Sequence, residues 1–335
     1  ILAVIATVFG VATSLGLGTL QISSGLNHLF GIPNAIMTQA IIIAVVTVLF
    51  LLSATTGLDK GIKLLSNTNL IIAITLLLFV LLAGPTSFIF DTFTTTLGDY
   101  LQNLIVMSLR MTPFTQGTWV GNWTLFYWSW WIAWAPFVGT FIARVSRGRT
   151  IKEFVLGALI IPSAFGFVWF AVFGGTGLNL EIFQHAGLAQ AVQEDVTTAL
   201  FLMLEQLPLG TLIAGVATLL IITFFVTSAD SATFVLGMLS SKGTLHPRNK
   251  VKLTWGILQS LIALVLLISG GLNGLQTASI VAALPFAVIM LGMCVSLLKA
   301  LKGEEKERKR KERQTRQFIE RLKAKEQIDP SPSKG

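Results

Sequence analysis

Eight apolar stretches, each long enough to cross a lipid bilayer as a helix, dominate this sequence of 335 residues. A bilayer core of about 30 Å is spanned by roughly 20 apolar helical residues. Lettered in chain order, the predicted spans are 1–22 (a), 35–56 (b), 68–90 (c), 123–142 (d), 154–176 (e), 209–238 (f), 253–271 (g) and 276–298 (h). Their backbones must satisfy their hydrogen bonds inside the lipid, and none shows the alternation of a barrel strand. The sequence therefore predicts an all-α integral membrane protein with eight transmembrane helices.

The few charged residues orient the protein in the membrane. They make up only 12% of the chain, about half of the share in soluble proteins, which excludes a single soluble domain and a disordered chain. All Lys and Arg residues except Arg110 lie in the connections after spans b, d and f or in the tail after span h. By the positive-inside rule these segments are cytoplasmic. The net charge of +8 therefore indicates a multi-pass plasma-membrane protein with a cytoplasmic C-terminus, and no nucleic-acid partner.

Three segments outside the spans differ from simple turns. Residues 91–122 place apolar residues at helical spacing, which predicts an amphipathic helix on the outer interface; an ordered loop is an equal alternative. Residues 177–208 are acidic and are expected to cap the outer side. The basic tail, 301–335, favours a helix that either binds anionic lipid or serves as a solvated anchor. Its candidate ion pairs, four residues apart, are Glu304–Arg308, Glu305–Lys309, Glu307–Lys311 and Glu312–Arg316.

Tryptophan is concentrated in span d, where Trp130, Trp131 and Trp134 lie near the middle of the membrane. At 1.5 Å per residue they lie within about 4 Å of the midplane, whereas tryptophan belts form at the membrane surface. Trp130, Trp134 and Phe137 share one helical face, and Trp131 lies about 100° around the helix. Indole rings bind cations that cannot donate hydrogen bonds, so the pattern indicates a quaternary-ammonium site, with bulky helix packing as the alternative.

Span f carries a run of hydroxyl side chains that includes Thr227 and Ser228. Hydroxyls and main-chain carbonyls are hard oxygen ligands that suit a small alkali cation, but such hydroxyls also bond back to the carbonyl one turn earlier. Asp230 is the only acidic residue within a span, which marks it as a candidate gating residue or as a partner of a cytoplasmic arginine.

Span a carries a stripe of small residues at four-residue spacing: Ala3, Thr7, Gly10, Ser14 and Gly18. Such a stripe lets another helix approach closely. The alternative is that it forms a polar wall beside a binding site.

Patterns typical of enzymes and ATP-driven pumps are missing from the sequence. There is no HExxH, no GxxxxGK[ST] and no Ser-His-Asp arrangement, and Cys294 is the only cysteine. We therefore expect no catalytic residues and no cofactor.

Three motifs in this chain resemble the signature of the betaine/choline/carnitine transporters. They are GNWTLFYWSWWIAWAPF at 121–137, ARVSRGRT at 143–150 and TSADSA at 227–232, and the similarity runs in order from residue 1 to about 300. The resemblance implies a LeuT-type core of two inverted five-helix repeats. It also implies a homotrimer.

On that plan the chain divides into four regions. Residues 1–90 would hold the last three helices of repeat one, 91–122 the external amphipathic helix, 123–300 all of repeat two, and 301–335 the cytoplasmic basic tail. The resemblance therefore implies that four further helices precede residue 1, so that the chain is N-terminally truncated.

The resemblance also assigns roles to individual residues. It implies that Trp131 lines a central substrate box and that Trp130, Trp134 and Phe137 line the route from this box towards the cytoplasm. It implies a sodium site built from the carbonyl of Phe224 with Thr227 and Ser228. Thr7 matches one hydroxyl of a possible second ion site, in which Val11 stands where the family can have another threonine.

The function expected from the resemblance is sodium-driven uptake of a quaternary-ammonium compatible solute, above all glycine betaine, for osmoprotection. Sodium would be the coupling ion. One alternative is a choline or carnitine carrier with proton coupling or exchange. Another is a membrane sensor of the same fold that binds without transporting.

Overall fold

The structure, a computed structural model, describes residues 1–56, 59–115, 117–244 and 246–328. Within these residues the chain is almost entirely helical and contains no strand, which confirms the all-α class. The helices in chain order are α1 (Leu2–Phe30), α2 (Ile36–Thr56), α3 (Asp59–Ala83), α4 (Thr86–Leu109), α5 (Phe126–Val145), α6 (Ile151–Gln184), α7 (Leu188–Glu194), α8 (Ala199–Glu205), α9 (Gly210–Ser240) and α10 (Asn249–Ile328).

Six of the described helices are long and apolar enough to cross a membrane, namely α1, α2, α3, α6, α9 and α10. Helix α5 overlaps span d, shifted by three residues towards the C-terminus, and has 20 residues, but it falls outside this group because Trp and Tyr lower its hydropathy. Spans g and h both lie in α10, where Gly271 has a non-helical conformation (φ 53°, ψ −134°). The long apolar helices are therefore confirmed, and the count of eight spans stays a prediction.

The region around Pro85 differs from the prediction. Span c was expected to reach residue 90, but α3 ends at Ala83 and α4 begins at Thr86. Proline has no backbone N–H to continue a helix, which explains the boundary. The helix predicted within 91–122 is α4, which starts before that range and ends at Leu109. A π-helical turn, Val120–Leu125, then leads into α5.

Helix α1 packs against α5, α9 and α2 at the centre of the first compact unit, Ile1–Leu284. A Cβ on Gly18 would lie 2.7 Å from Cδ2 of Phe225, and a Cβ on Gly25 would lie 2.5 Å from Oγ1 of Thr218. The contact positions rise along α1 as they fall along α9, so the two helices run antiparallel. The stripe of small residues therefore does provide close helix packing. The main hydrophobic cluster contains Val11, Ala12, Leu15 and Ile22 of α1, Ile42, Val46 and Phe50 of α2, and Phe225, Ala229 and Ala232 of α9.

Connections that the charge pattern assigns to the same side of the membrane contact one another. At one end, the amide of Asn34 donates to Asp195 at 3.2 Å. At the other end, Asn249 donates to the carbonyl of Thr55 at 3.1 Å, and the ammonium of Lys252 contacts the carbonyl of Ala54. These contacts agree with the predicted alternation of sides, and which side faces the cytoplasm stays a prediction.

The second compact unit, Pro285–Gly335, contains the C-terminal part of α10. The helix predicted for the tail is present as far as Ile328, and residues 329–335 lie outside the described part of the chain. The pairs Glu305–Lys309 (2.7 Å) and Glu307–Lys311 (2.9 Å) are confirmed.

Two of the predicted ion pairs in the tail are wrong. Arg308 pairs with Glu312 at 3.6 Å and Arg316 pairs with Glu320 at 3.2 Å, each in place of the acid one turn before. An exposed pair of this kind is worth only about 0.3–0.5 kcal/mol, so an arginine with acids on both sides has little preference between them.

We expect Gly256→Ala to lower the melting temperature of the protein in detergent. A Cβ there would lie 2.9 Å from Cε2 of Phe50, which is fully buried, and would overlap Leu51. Overpacking of this kind costs about 1–3 kcal/mol. The matched control is Gly157→Ala in α6, where a Cβ meets nothing within 4 Å. Equal melting temperatures for the two variants would contradict the packing of α10 on α2.

Candidate functional site

A cavity of about 360 Å³ lies between α1, α3, α5, α6, α8 and α9. This volume is in the range of small-molecule sites. Its polar side chains are Ser14, Gln21 and Ser228, and none of the described residues that line it is charged. Its aromatic wall is formed by Trp130 and Trp134 of α5, Trp169 and Phe173 of α6, and Phe224 and Phe225 of α9.

Two indoles of α5 are held by hydrogen bonds to α1. Nε1 of Trp130 donates to Oγ of Ser14 at 3.1 Å. Nε1 of Trp134 is shared between Oγ of Ser14 and the carbonyl of Gly10, both at 3.0 Å. The two helices approach closely at this point, because a Cβ on Gly10 would lie only 3.0 Å from Cβ of Ala133.

Ring contacts also restrain the aromatic wall. Trp130 is stacked on the buried Phe126, with centroids 5.6 Å apart and planes at 10°. Trp169 is stacked on Phe173 with centroids 4.5 Å apart. Such pairs add about 0.5–1.5 kcal/mol to the burial of the rings. The cavity therefore has rigid aromatic walls on the α5 and α6 sides.

The structure brings together only part of the predicted substrate-binding set. Trp130 and Trp134 line the cavity. Phe137 lies in the main hydrophobic cluster, 8% exposed, with its ring edge-on to Trp134 at 5.1 Å. Trp131 is 69% exposed and does not line the cavity. Its position a quarter-turn around α5 from Trp130 accounts for this separation.

The three residues of the predicted sodium site lie together on α9. Thr227 is buried, and its hydroxyl lies 3.0 Å from the carbonyl of Phe224 and 3.1 Å from that of Thr223. Ser228 and Phe224 line the cavity. The back-bond of Thr227 is the arrangement expected of a helical hydroxyl without an ion. Ion binding by the oxygens of Phe224, Thr227 and Ser228 stays a prediction.

The other two candidate residues lie away from the cavity wall. Thr7 is fully buried, and its hydroxyl donates to the carbonyl of Ala3 at 2.8 Å. Asp230 is 5% exposed and accepts a hydrogen bond from Ser53 of α2 at 3.2 Å. This contact joins α2 to α9, and a gating role for Asp230 or its pairing with a cytoplasmic arginine stays a prediction.

Sequence reasoning missed the contribution of α6. Trp169 and Phe173 are four residues apart in the C-terminal half of span e, so their shared helical face was a signal that was available. The face of α6 that meets the cavity, however, follows from the packing of α6 against α3 and α4.

Comparisons with known proteins agree with the resemblance described above. The model of the betaine/carnitine/choline family of transporters matches residues 1–306. The chain is 53% identical over 308 residues to the glycine betaine transporter OpuD of Bacillus subtilis (strain 168). It is 51% identical over 306 residues to the ectoine/hydroxyectoine transporter of Virgibacillus pantothenticus, and 48% identical over 307 residues to a probable glycine betaine transporter of Desulfitobacterium hafniense (strain Y51).

These three alignments each cover 91% of this chain but only 60% or 61% of the relative. The chain therefore spans about three fifths of the length of these three curated relatives.

The cavity geometry predicts different thiol reactivities at two neighbouring positions. In a Cys294→Ala background, Ser228→Cys should react several-fold faster than Thr227→Cys with a methanethiosulfonate reagent that carries a trimethylammonium group. The reason is that Ser228 faces the cavity whereas Thr227 is buried, and thiol reactivity depends on access. Mass spectrometry of the intact protein gives the two rates. Equal rates, or a faster rate at 227, would contradict this cavity.

Proposed function

The chain belongs to the betaine/carnitine/choline family of transporters, and on that premise we propose that it forms part of a secondary carrier for a quaternary-ammonium compatible solute, first of all glycine betaine. The observation that carries the proposal is an uncharged cavity walled by the indoles of Trp130, Trp134 and Trp169. A trimethylammonium group has no N–H to donate, and aromatic rings stabilise it through their quadrupoles. Two of the relatives carry glycine betaine in their names.

Sodium is the proposed coupling ion. The carbonyl of Phe224 and the hydroxyls of Thr227 and Ser228 would bind it beside the cavity, so that ion and substrate stabilise the same arrangement of helices. α1, the helix that packs most extensively on α9, contains no Lys or Arg that would replace the ion with a fixed charge. Transport would follow by alternating access, as helices move against one another around the site.

Ectoine is the second candidate substrate. One relative, 51% identical, is named an ectoine/hydroxyectoine transporter. The N–H groups of a cyclic amidinium need acceptors, and the cavity offers the side-chain oxygens of Gln21 and Ser228.

Trp131 remains a proposed substrate-contacting ring on the strength of the family resemblance. Its exposed indole belongs to the same helix as Trp130 and lies outside the cavity formed by the described residues. The homotrimer and the binding of anionic lipid by the basic tail likewise stay predictions.

Uptake of labelled glycine betaine tests the substrate and the ion together. We expect uptake by the complete protein, in a bacterial strain without other betaine carriers, to require sodium. Thr227→Val should raise the sodium concentration for half-maximal uptake about tenfold, because it removes a hydroxyl ligand worth about 1.4 kcal/mol. The matched control, Thr218→Val, removes a hydroxyl that bonds within α9 to Ala214 and should change little.

The outcomes separate the alternatives. Uptake that persists without sodium and follows a proton gradient would refute sodium coupling. Uptake of ectoine without uptake of betaine would favour the second substrate, and binding of betaine without uptake would favour a sensor.

Trp131→Leu tests the role implied for this ring. If the indole contacts the trimethylammonium group, the half-saturation constant for betaine should rise about tenfold, the effect of losing about 1.4 kcal/mol of cation–π attraction. Trp119→Leu is the control, since Trp119 is 62% exposed and lies before α5. An unchanged half-saturation constant would show that the resemblance misplaces Trp131.

A further inference from the structure

The hydroxyl of Ser14 makes three hydrogen bonds at the point where α1 meets α5. It accepts from Nε1 of Trp130 at 3.1 Å and from Nε1 of Trp134 at 3.0 Å, and it donates to the carbonyl of Gly10 at 3.1 Å. A serine hydroxyl has one donor hydrogen and two acceptor lone pairs. These contacts therefore use the whole bonding capacity of Ser14.

The two indole N–H groups are consequently committed to α1. Trp134 has a second acceptor in the carbonyl of Gly10, at 3.0 Å. For Trp130, Ser14 is the acceptor that the structure provides. Both rings line the cavity, so with their N–H groups bonded to α1 they offer the ligand aromatic carbon and no hydrogen-bond donor.

We propose that Ser14 is a positioning residue that determines specificity by fixing the ring faces of Trp130 and Trp134 towards the ligand, while its own lone pairs are taken up by their N–H groups and accept nothing from the ligand. The inference depends on the proposed function of the cavity. A quaternary ammonium gains from ring surface alone, whereas an ammonium that retains an N–H leaves it unpaired on the side that faces the α5 rings. With Ser14 removed, the N–H of Trp130 loses its acceptor and the ring is free to turn, which lets water reach the ammonium and accept its N–H.

Glycine betaine and dimethylglycine form the probe pair, because they differ in one N-methyl group that is replaced by a hydrogen. In the complete protein, Ser14→Ala should raise the half-saturation constant for betaine about tenfold, because a ring that is free to turn no longer holds its face against the trimethylammonium group. It should also reduce the preference for betaine over dimethylglycine, measured as the ratio of their inhibition constants. The maximal rate should change less than the half-saturation constant.

Two further variants separate positioning from folding. Ser14→Thr keeps the hydroxyl and, unlike Ser14→Ala, should retain the preference for betaine over dimethylglycine. Thr19→Val removes a hydroxyl of α1 that bonds to the carbonyl of Leu15, and it should leave that preference unchanged.

A double-mutant cycle decides whether Ser14 acts through Trp130. Trp130→Phe retains an aromatic ring without the N–H, so Ser14→Ala should add little to it if the two residues are coupled. An effect of Ser14→Ala that is as large in the Trp130→Phe background as in the parent would overturn the proposal. So would an unchanged preference for betaine in Ser14→Ala. Failure of the parent protein to take up any betaine would instead refute the proposed function.

Discussion

The close approach of α1 to α5 and α9 is the constraint on which the cavity depends. Gly10 and Gly18 leave no room for a side chain against Ala133 and Phe225, and this contact brings Ser14 within reach of two indole N–H groups. Helices in lipid gain little from burying apolar surface against one another, so small-residue contacts and interhelical hydrogen bonds supply much of their association. The same residues that allow α1 to pack therefore also shape the wall of the site.

The chemistry of the cavity follows from the scarcity of charge in this chain. A fixed charge in the middle of the membrane is costly, and none of the described residues lining the cavity carries one. Aromatic quadrupoles and neutral oxygens can still stabilise cations; in the proposed function the rings would hold an organic ammonium, and the oxygens at Phe224, Thr227 and Ser228 would hold a sodium ion. The proposed site would therefore hold a weakly hydrated organic cation beside a small hard one.

The sequence allowed local features to be predicted better than the contacts between helices. Apolar length and helical periodicity are local properties, so the all-α class and the shared face of Trp130 and Trp134 could be read directly. The exposure of Trp131 and the contribution of Trp169 depend on which helices pack together, and periodicity alone does not specify this. Pro85 was a visible signal for the end of α3, but the apolar run continued past it.

The central claim is that an aromatic cavity beside α5 binds the quaternary ammonium of the substrate. A structure of the complete protein with arsenobetaine, in which arsenic replaces the quaternary nitrogen, tests this directly through the anomalous signal of the arsenic. We predict an anomalous peak inside the cavity, within about 6 Å of the centroid of an indole ring of α5, the range of a cation–π contact. A peak remote from α5, with none in the cavity, would contradict the account.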